Sequence, residues 1–97
     1  MMNFYKIWVL AMTNYKRIEF KKLSEKFLKS QPRKDQVRIL SQIYKLPSGN
    51  HIKKMEGYEN RYRLRIGNIR VSYELHEDGV TLVVLVIEIG NRGDIYK

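Results

Sequence analysis

Between positions 61 and 74 the chain reads Arg61-Tyr62-Arg63-Leu64-Arg65-Ile66-Gly67-Asn68-Ile69-Arg70-Val71-Ser72-Tyr73-Glu74, with four arginines spaced so that they could hold a polyanion. The Gly67-Asn68 pair between two alternating runs predicts a hairpin with a two-residue turn. That turn sets the pairing: Ile66 faces Ile69, Arg65 faces Arg70, Leu64 faces Val71, Arg63 faces Ser72, Tyr62 faces Tyr73 and Arg61 faces Glu74. One face then carries Tyr62, Leu64, Ile66, Ile69, Val71, Tyr73 and Leu75, which is a core. The other carries Arg61, Arg63, Arg65, Arg70, Ser72 and Glu74. Arg61 has a carboxylate opposite it, whereas Arg65 directly faces Arg70 and has Arg63 nearby. Like charges placed opposite each other cost roughly 0.2–1 kcal/mol, so folding alone does not select them. Charge on an edge hairpin also guards against aggregation, but lysine or mixed signs would serve that purpose as well. Arginine throughout favours planar, bidentate capture of phosphate.

The elements that must position these arginines follow from the rest of the pattern. Residues 15–20 read as a first strand, with Ile18 and Phe20 on one face. A short helix over 21–29 turns Leu23, Phe27 and Leu28 inward. Pro32 suits the first turn of a second helix, where its missing N–H is not needed. That helix runs to about Leu46, with Val37, Leu40 and Tyr44 on one side and Ile39 and Ile43 beside them. Pro47-Ser48-Gly49-Asn50 stops it. A loop through Gly57 leads to the hairpin, and Asp78-Gly79 makes the next turn. The apolar run from Val80 to Ile89 reads as the central strand, covered on both faces.

Ninety-seven residues make one small domain, and a net charge of +9 points to nucleic acid, an acidic protein partner, or both. The absence of cysteine excludes a disulfide scaffold and thiolate metal sites and fits a cytoplasmic protein. His51 and His76 read as solvated loop or strand-end residues, and no metal or cofactor is expected. Residues 1–14 form an N-terminal extension with an apolar patch, Phe4 to Leu10, too short to span a bilayer and without a signal-peptide cleavage region. It could add a strand, cover a face, or precede a natural start at Met12.

In order along residues 15–97, this arrangement resembles the RelE/ParE superfamily of toxins from type II toxin–antitoxin modules, and within it the RelE-like mRNA endonucleases. Three pieces carry the likeness: Lys54-Met55-Glu56-Gly57 leading to Arg61 through Gly67; Arg70-Val71-Ser72-Tyr73-Glu74; and the ending Ile89-Gly90-Asn91-Arg92-Gly93-Asp94-Ile95-Tyr96. The resemblance implies an α+β fold, two N-terminal helices packed on a small antiparallel sheet. It implies attack of a ribose 2′-OH on the adjacent phosphate of mRNA, typically on the ribosome. Arg63 and Arg65 match the two basic positions of the second strand of that sheet, Arg70 its third-strand phosphate contact, Arg92 the arginine after the last strand, and Tyr96 the terminal aromatic that stacks on a base.

Such chemistry needs a base for the 2′-OH, stabilisation of charge on phosphorus and an acid for the leaving oxygen. Some relatives carry lysines where this chain has Arg63 and Arg65. Arginine stays charged and is no base, so these arginines are expected to stabilise charge. The base is then Tyr96, Glu88, or no side chain at all. Against these roles, Tyr96 could pack on the sheet, Arg92 could pair with Glu88 or Asp94, and Tyr58, Tyr62 and Tyr73 read mainly as packing. Arg61, Lys53 and Lys54 are expected to attract RNA backbone. The implied partners are a cognate antitoxin, mRNA, and operator DNA only through the antitoxin, with no membrane. Two other functions share the fold: a ParE-like gyrase poison, and a non-catalytic module that only binds an antitoxin.

Overall fold

The Gly67-Asn68 turn sets the register on which the sheet is built. In the computed structural model, which describes residues 16–91, Gly67 adopts φ 60°, and the flanking strands pair from Ile66↔Ile69 to Arg61↔Glu74 as the sequence predicts. The elements run β1 (Lys16–Phe20), α1 (Lys22–Lys29), α2 (Arg33–Tyr44), β2 (Ile52–Lys54), β3 (Arg61–Ile66), β4 (Ile69–Asp78) and β5 (Thr81–Asn91). They form one five-stranded sheet in the order β1-β5-β4-β3-β2.

The sheet is mixed rather than antiparallel. β1 lies parallel to β5, pairing Lys16↔Leu82 through Phe20↔Val86, while the other three ladders are antiparallel. The two helices come after this strand and carry the chain to β2 at the opposite edge of the sheet, from which β3, β4 and β5 return to β1. β2, which the sequence read as loop, pairs with β3 through Ile52↔Leu64, Lys53↔Arg63 and Lys54↔Tyr62. The middle strand is β4, because β1 and β5 both lie on its other side. β5 still carries buried residues on both faces: Val84 and Val86 toward the helices, Val83 away from them.

One face of the sheet and the helices enclose the core: Ile18, Phe20, Leu64, Ile66, Ile69, Val71, Tyr73, Val84, Val86 and Ile89 meet Leu28, Ile39, Ile43 and Leu46. Tyr62 and Tyr73 stack there with ring centroids 5.6 Å apart. Both helices are rotated from the expected faces. In α1 the buried positions are Ser24, Glu25 and Leu28, leaving Leu23 71 % exposed and Phe27 half-buried. The cause is polar: Ser24 Oγ donates to the carbonyls of Lys21 (2.7 Å) and Val86 (3.3 Å), seating the start of α1 against β5. Glu25 follows inward and pairs with Lys29 at 2.7 Å. In α2, Ile39 and Ile43 are fully buried, Leu40 and Tyr44 lie at the border, and Val37 is 56 % exposed. Pro32 stands just ahead of α2, its carbonyl accepting from the N–H groups of Asp35 and Gln36 (both 2.9 Å). The helix ends at Tyr44, and Lys16 Nζ donates to the carbonyls of Tyr44 and Leu46, tying β1 to that end. A cation there meets both unpaired carbonyls and the negative end of the helix dipole. Among the described residues, no helix is long and apolar enough to cross a membrane.

Candidate functional site

The face of the sheet turned away from the helices carries the arginines, and the ladders arrange them in rows. Residues paired directly across strands project to the same side. The first row runs Lys53–Arg63–Ser72–Glu88 across β2, β3, β4 and β5. Glu88 reaches this row because the β4–β5 register shifts between Ser72 and Tyr73, with Ile87 as the extra residue. The second row, at the closed end of the hairpin, is Arg65–Arg70–Gly90, and Arg65 N–H donates to the carbonyl of His51 at 3.0 Å beside it. Gly90 puts no side chain over its end of the row.

The four hairpin arginines, alike in sequence, have different surroundings. Arg61 is engaged: its Nε and Nη2 lie 3.1 and 2.5 Å from Glu74 Oε2, and its guanidinium sits 4.2 Å over the Tyr58 ring. Glu74 also meets His76 Nε2 at 2.8 Å through its other oxygen. The Arg61 hydrogen bond, and then that of His76, hold the Glu74 carboxyl below its ordinary range against the opposing effect of burial. Arg61 therefore belongs to a local ion-pair cluster.

Arg63 is half-buried and lines a shallow depression of about 310 Å³ with Lys53, Lys54, Met55 and Glu56. Lys53 shares its face, whereas Lys54, paired with Tyr62, projects to the other side of the edge strand. Ser72 is buried beneath this rim, its Oγ 3.8 Å from Met55 Sδ. Arg65 is exposed, and its Nη2 lies 3.1 Å from His51 Nδ1.

Arg70 departs most from expectation. It is only 8 % exposed, and its Nη1 donates to the carbonyls of Gly67 (3.1 Å) and Ile69 (3.4 Å), folding the guanidinium over the turn that precedes it. Among the described residues, no carboxylate pairs with Arg65 or Arg70. A buried cation and an exposed one in the same row, neither paired with a carboxylate among the described residues, can bind a phosphate and stabilise added charge on it.

Among the described residues that could move a proton, Tyr73 is unsuited: its side chain is enclosed in the core, and burial pushes its hydroxyl up to about 12. Glu88 is exposed and stands two strands from Arg63, roughly 10 Å at the usual strand spacing. Arg92 and Tyr96 lie outside the described residues. His51 is where sequence reasoning fell short. It does stand exposed at a strand end, but β2 brings it against Arg65, and without β2 the sequence offers no signal for that contact.

Scanned against protein-family models and against curated proteins, the sequence matches none. Solved structures do match. A chain of the RelB–RelE antitoxin–toxin complex from Methanococcus jannaschii is 32% identical, with a TM-score of 0.60 over 79% of this chain and 93% of that one. The isolated RelE toxin of E. coli gives a TM-score of 0.63 at 19% identity, over 81% of this chain and 88% of its own. The chain belongs to the RelE toxin family. An archaeal RelE–RelB complex from Pyrococcus horikoshii OT3 adds the same fold at 24% identity, with a TM-score of 0.64 over 84% of this chain and 99% of that one. Within this RelE-like fold, the arginine rows lie on the sheet face that the helices leave open.

Proposed function

We propose that this RelE-family protein is the toxin of a toxin–antitoxin pair and that it cleaves mRNA on the ribosome by attack of a ribose 2′-OH on the adjacent phosphate. The observation that carries the proposal is Arg65 beside a buried Arg70 at the end of a rigid hairpin, with no carboxylate against either among the described residues. Arg70 is fixed by the turn carbonyls, so its charge acts on a phosphate at Arg65 without reorganisation. Arg65 is exposed and can swing onto a phosphate oxygen. Arg63 and Lys53 extend the cationic track along the RNA backbone. The attack puts additional negative charge on the phosphorus oxygens, and permanently charged guanidinium groups stabilise it there more than in the ground state. Arg92 and Tyr96 enter as a further phosphate contact and a base-stacking ring. Relatives of this fold occur in antitoxin–toxin complexes, and we assign this chain an antitoxin partner whose acidic groups neutralise its positive charge.

Tightly induced expression in a bacterial host tests the reading, with transcript ends mapped within minutes of induction. Growth arrest with new mRNA ends, abolished by Arg65→Ala, is the expected result. Arrest with intact mRNA and a DNA-damage response would overturn it in favour of a gyrase poison. No arrest, with folded protein present, would leave only an antitoxin-binding module.

A further inference from the structure

Arginines can stabilise charge but cannot accept a proton, so the proposed cleavage needs another group close to the phosphate. We propose that His51 is the base that takes the 2′-OH proton. The inference rests on the reading of the protein as a ribonuclease and assigns a step within it.

Three observations converge on His51. Its Nδ1 lies 3.1 Å from Arg65 Nη2, so the ring sits beside the guanidinium assigned to the phosphate. A guanidinium has only donors, so Nδ1 is the acceptor. In that contact the Nδ1 lone pair faces the arginine row. Second, His51 is the one described non-glycine residue with positive φ, 63°. Histidine, asparagine and aspartate are enriched in this conformation, and glycine adopts it freely. The turn into β2 therefore does not itself call for histidine. Third, the Arg65 N–H to His51 carbonyl bond at 3.0 Å ties the backbone of this residue to β3.

The surroundings are cationic. The charged groups nearest His51 in the ladder order are Arg65, which it contacts, Arg63 on β3, Lys53 two residues along the chain, and Arg70 beyond Arg65 on β4. All are cations, and among the described residues no carboxylate pairs with the ring.

When RNA binds, Arg65 turns from His51 to the phosphate and releases the Nδ1 lone pair next to the ribose. Nδ1 takes the 2′-OH proton. The freed O2′ electron pair forms the bond to phosphorus, and the P–O5′ bond breaks with its electrons going to O5′. Water protonates O5′, and the resulting hydroxide removes the proton from the imidazolium. The products are a 2′,3′-cyclic phosphate and a 5′-hydroxyl.

The test is single-turnover cleavage of mRNA bound to ribosomes by the full chain, as wild type, His51→Asn and His51→Gln. Binding of each to the same programmed ribosomes is measured in parallel. Asparagine suits the left-handed backbone, so that variant keeps the turn, and circular dichroism verifies its fold. A general base contributes about 10²–10⁴-fold. Both variants are therefore expected to lose at least about 100-fold in rate, to bind within about threefold of wild type, and to lose the acidic limb of the pH–rate profile. A His51→Asn rate within about threefold of wild type, with that limb intact, overturns the assignment and leaves the ribonuclease reading standing. Binding that falls in parallel with rate makes His51 a positioning residue for Arg65 and also overturns it. Wild type that leaves the RNA whole overturns the reading on which the assignment rests.

Discussion

Replacing Arg70 should unfold part of the stability as well as the activity, and the size of the effect can be worked from its environment. The side chain is 8 % exposed, with one well-formed donation to the Gly67 carbonyl and a longer one to Ile69. Arg70→Ala removes two buried methylenes beyond Cβ, worth about 0.8 kcal/mol each. It also removes a hydrogen bond from a charged donor, worth about 1.5 kcal/mol. Relief of the repulsion with Arg65 returns about 0.5 kcal/mol. The net loss is about 2.5 kcal/mol. Arg70→Met keeps the stem and loses only the head, so it should cost about 1 kcal/mol by the same reckoning. Urea unfolding followed by circular dichroism reads both. With a slope near the low end for a small domain, midpoints should fall by about 2 M and about 1 M at unchanged slope. Midpoints within about 0.3 M of wild type for both variants would refute the assignment of a structural role to Arg70. If the losses appear, an inactive Arg70→Ala protein is no evidence for chemistry at that residue. Exposed Arg65 is then the cleaner probe of function.

Three further outcomes follow from the geometry. Glu74 has a lowered folded pKa, so its contribution to stability is complete above its ordinary value of 4.5 and disappears as pH falls through the lower folded value. Melting temperatures across the acid range should therefore fall less steeply for Glu74→Gln than for wild type. Gly67→Ala should lower stability by roughly 1–2 kcal/mol in chemical denaturation, because φ 60° disfavours a side chain and a Cβ there would meet the Arg38 guanidinium at 3.3 Å. For single-stranded RNA, Lys53→Ala should reduce the slope of log affinity against log salt by about 0.7, the value for one phosphate contact, while Glu59→Ala, outside the cationic rows, should not reduce it.

The hairpin was legible because every cue agreed: a two-residue turn, strict alternation and a core face that fixes register. The remaining sheet was less so, for identifiable reasons. β2 has three residues, two of them exposed lysines, and carries no alternation to read. The parallel pairing of β1 with β5 joins segments more than sixty positions apart and leaves no local mark. In β5 a continuous apolar run hides the bulge at Ile87, which decides the face of Glu88. The faces of both helices were misjudged because apolar spacing alone suggested Leu23 and Val37, whereas a buried hydroxyl at Ser24 sets the rotation of α1. At the site, residue type identified the arginines, but only tertiary pairing distinguishes engaged Arg61 from buried Arg70 and brings His51 to Arg65.

The strand order also bears on how the protein is made. β5 is the last described strand to leave the ribosome, yet it occupies an interior place between β1, the earliest described strand, and β4. Until residues 82–86 emerge, β1 has no sheet partner and the core face of β4 lacks its neighbour. Non-local pairing of this kind forms late, after its chain-closure entropy has been met. Until β5 emerges, the nascent chain therefore lacks the strand that joins β1 to the arginine-bearing hairpin.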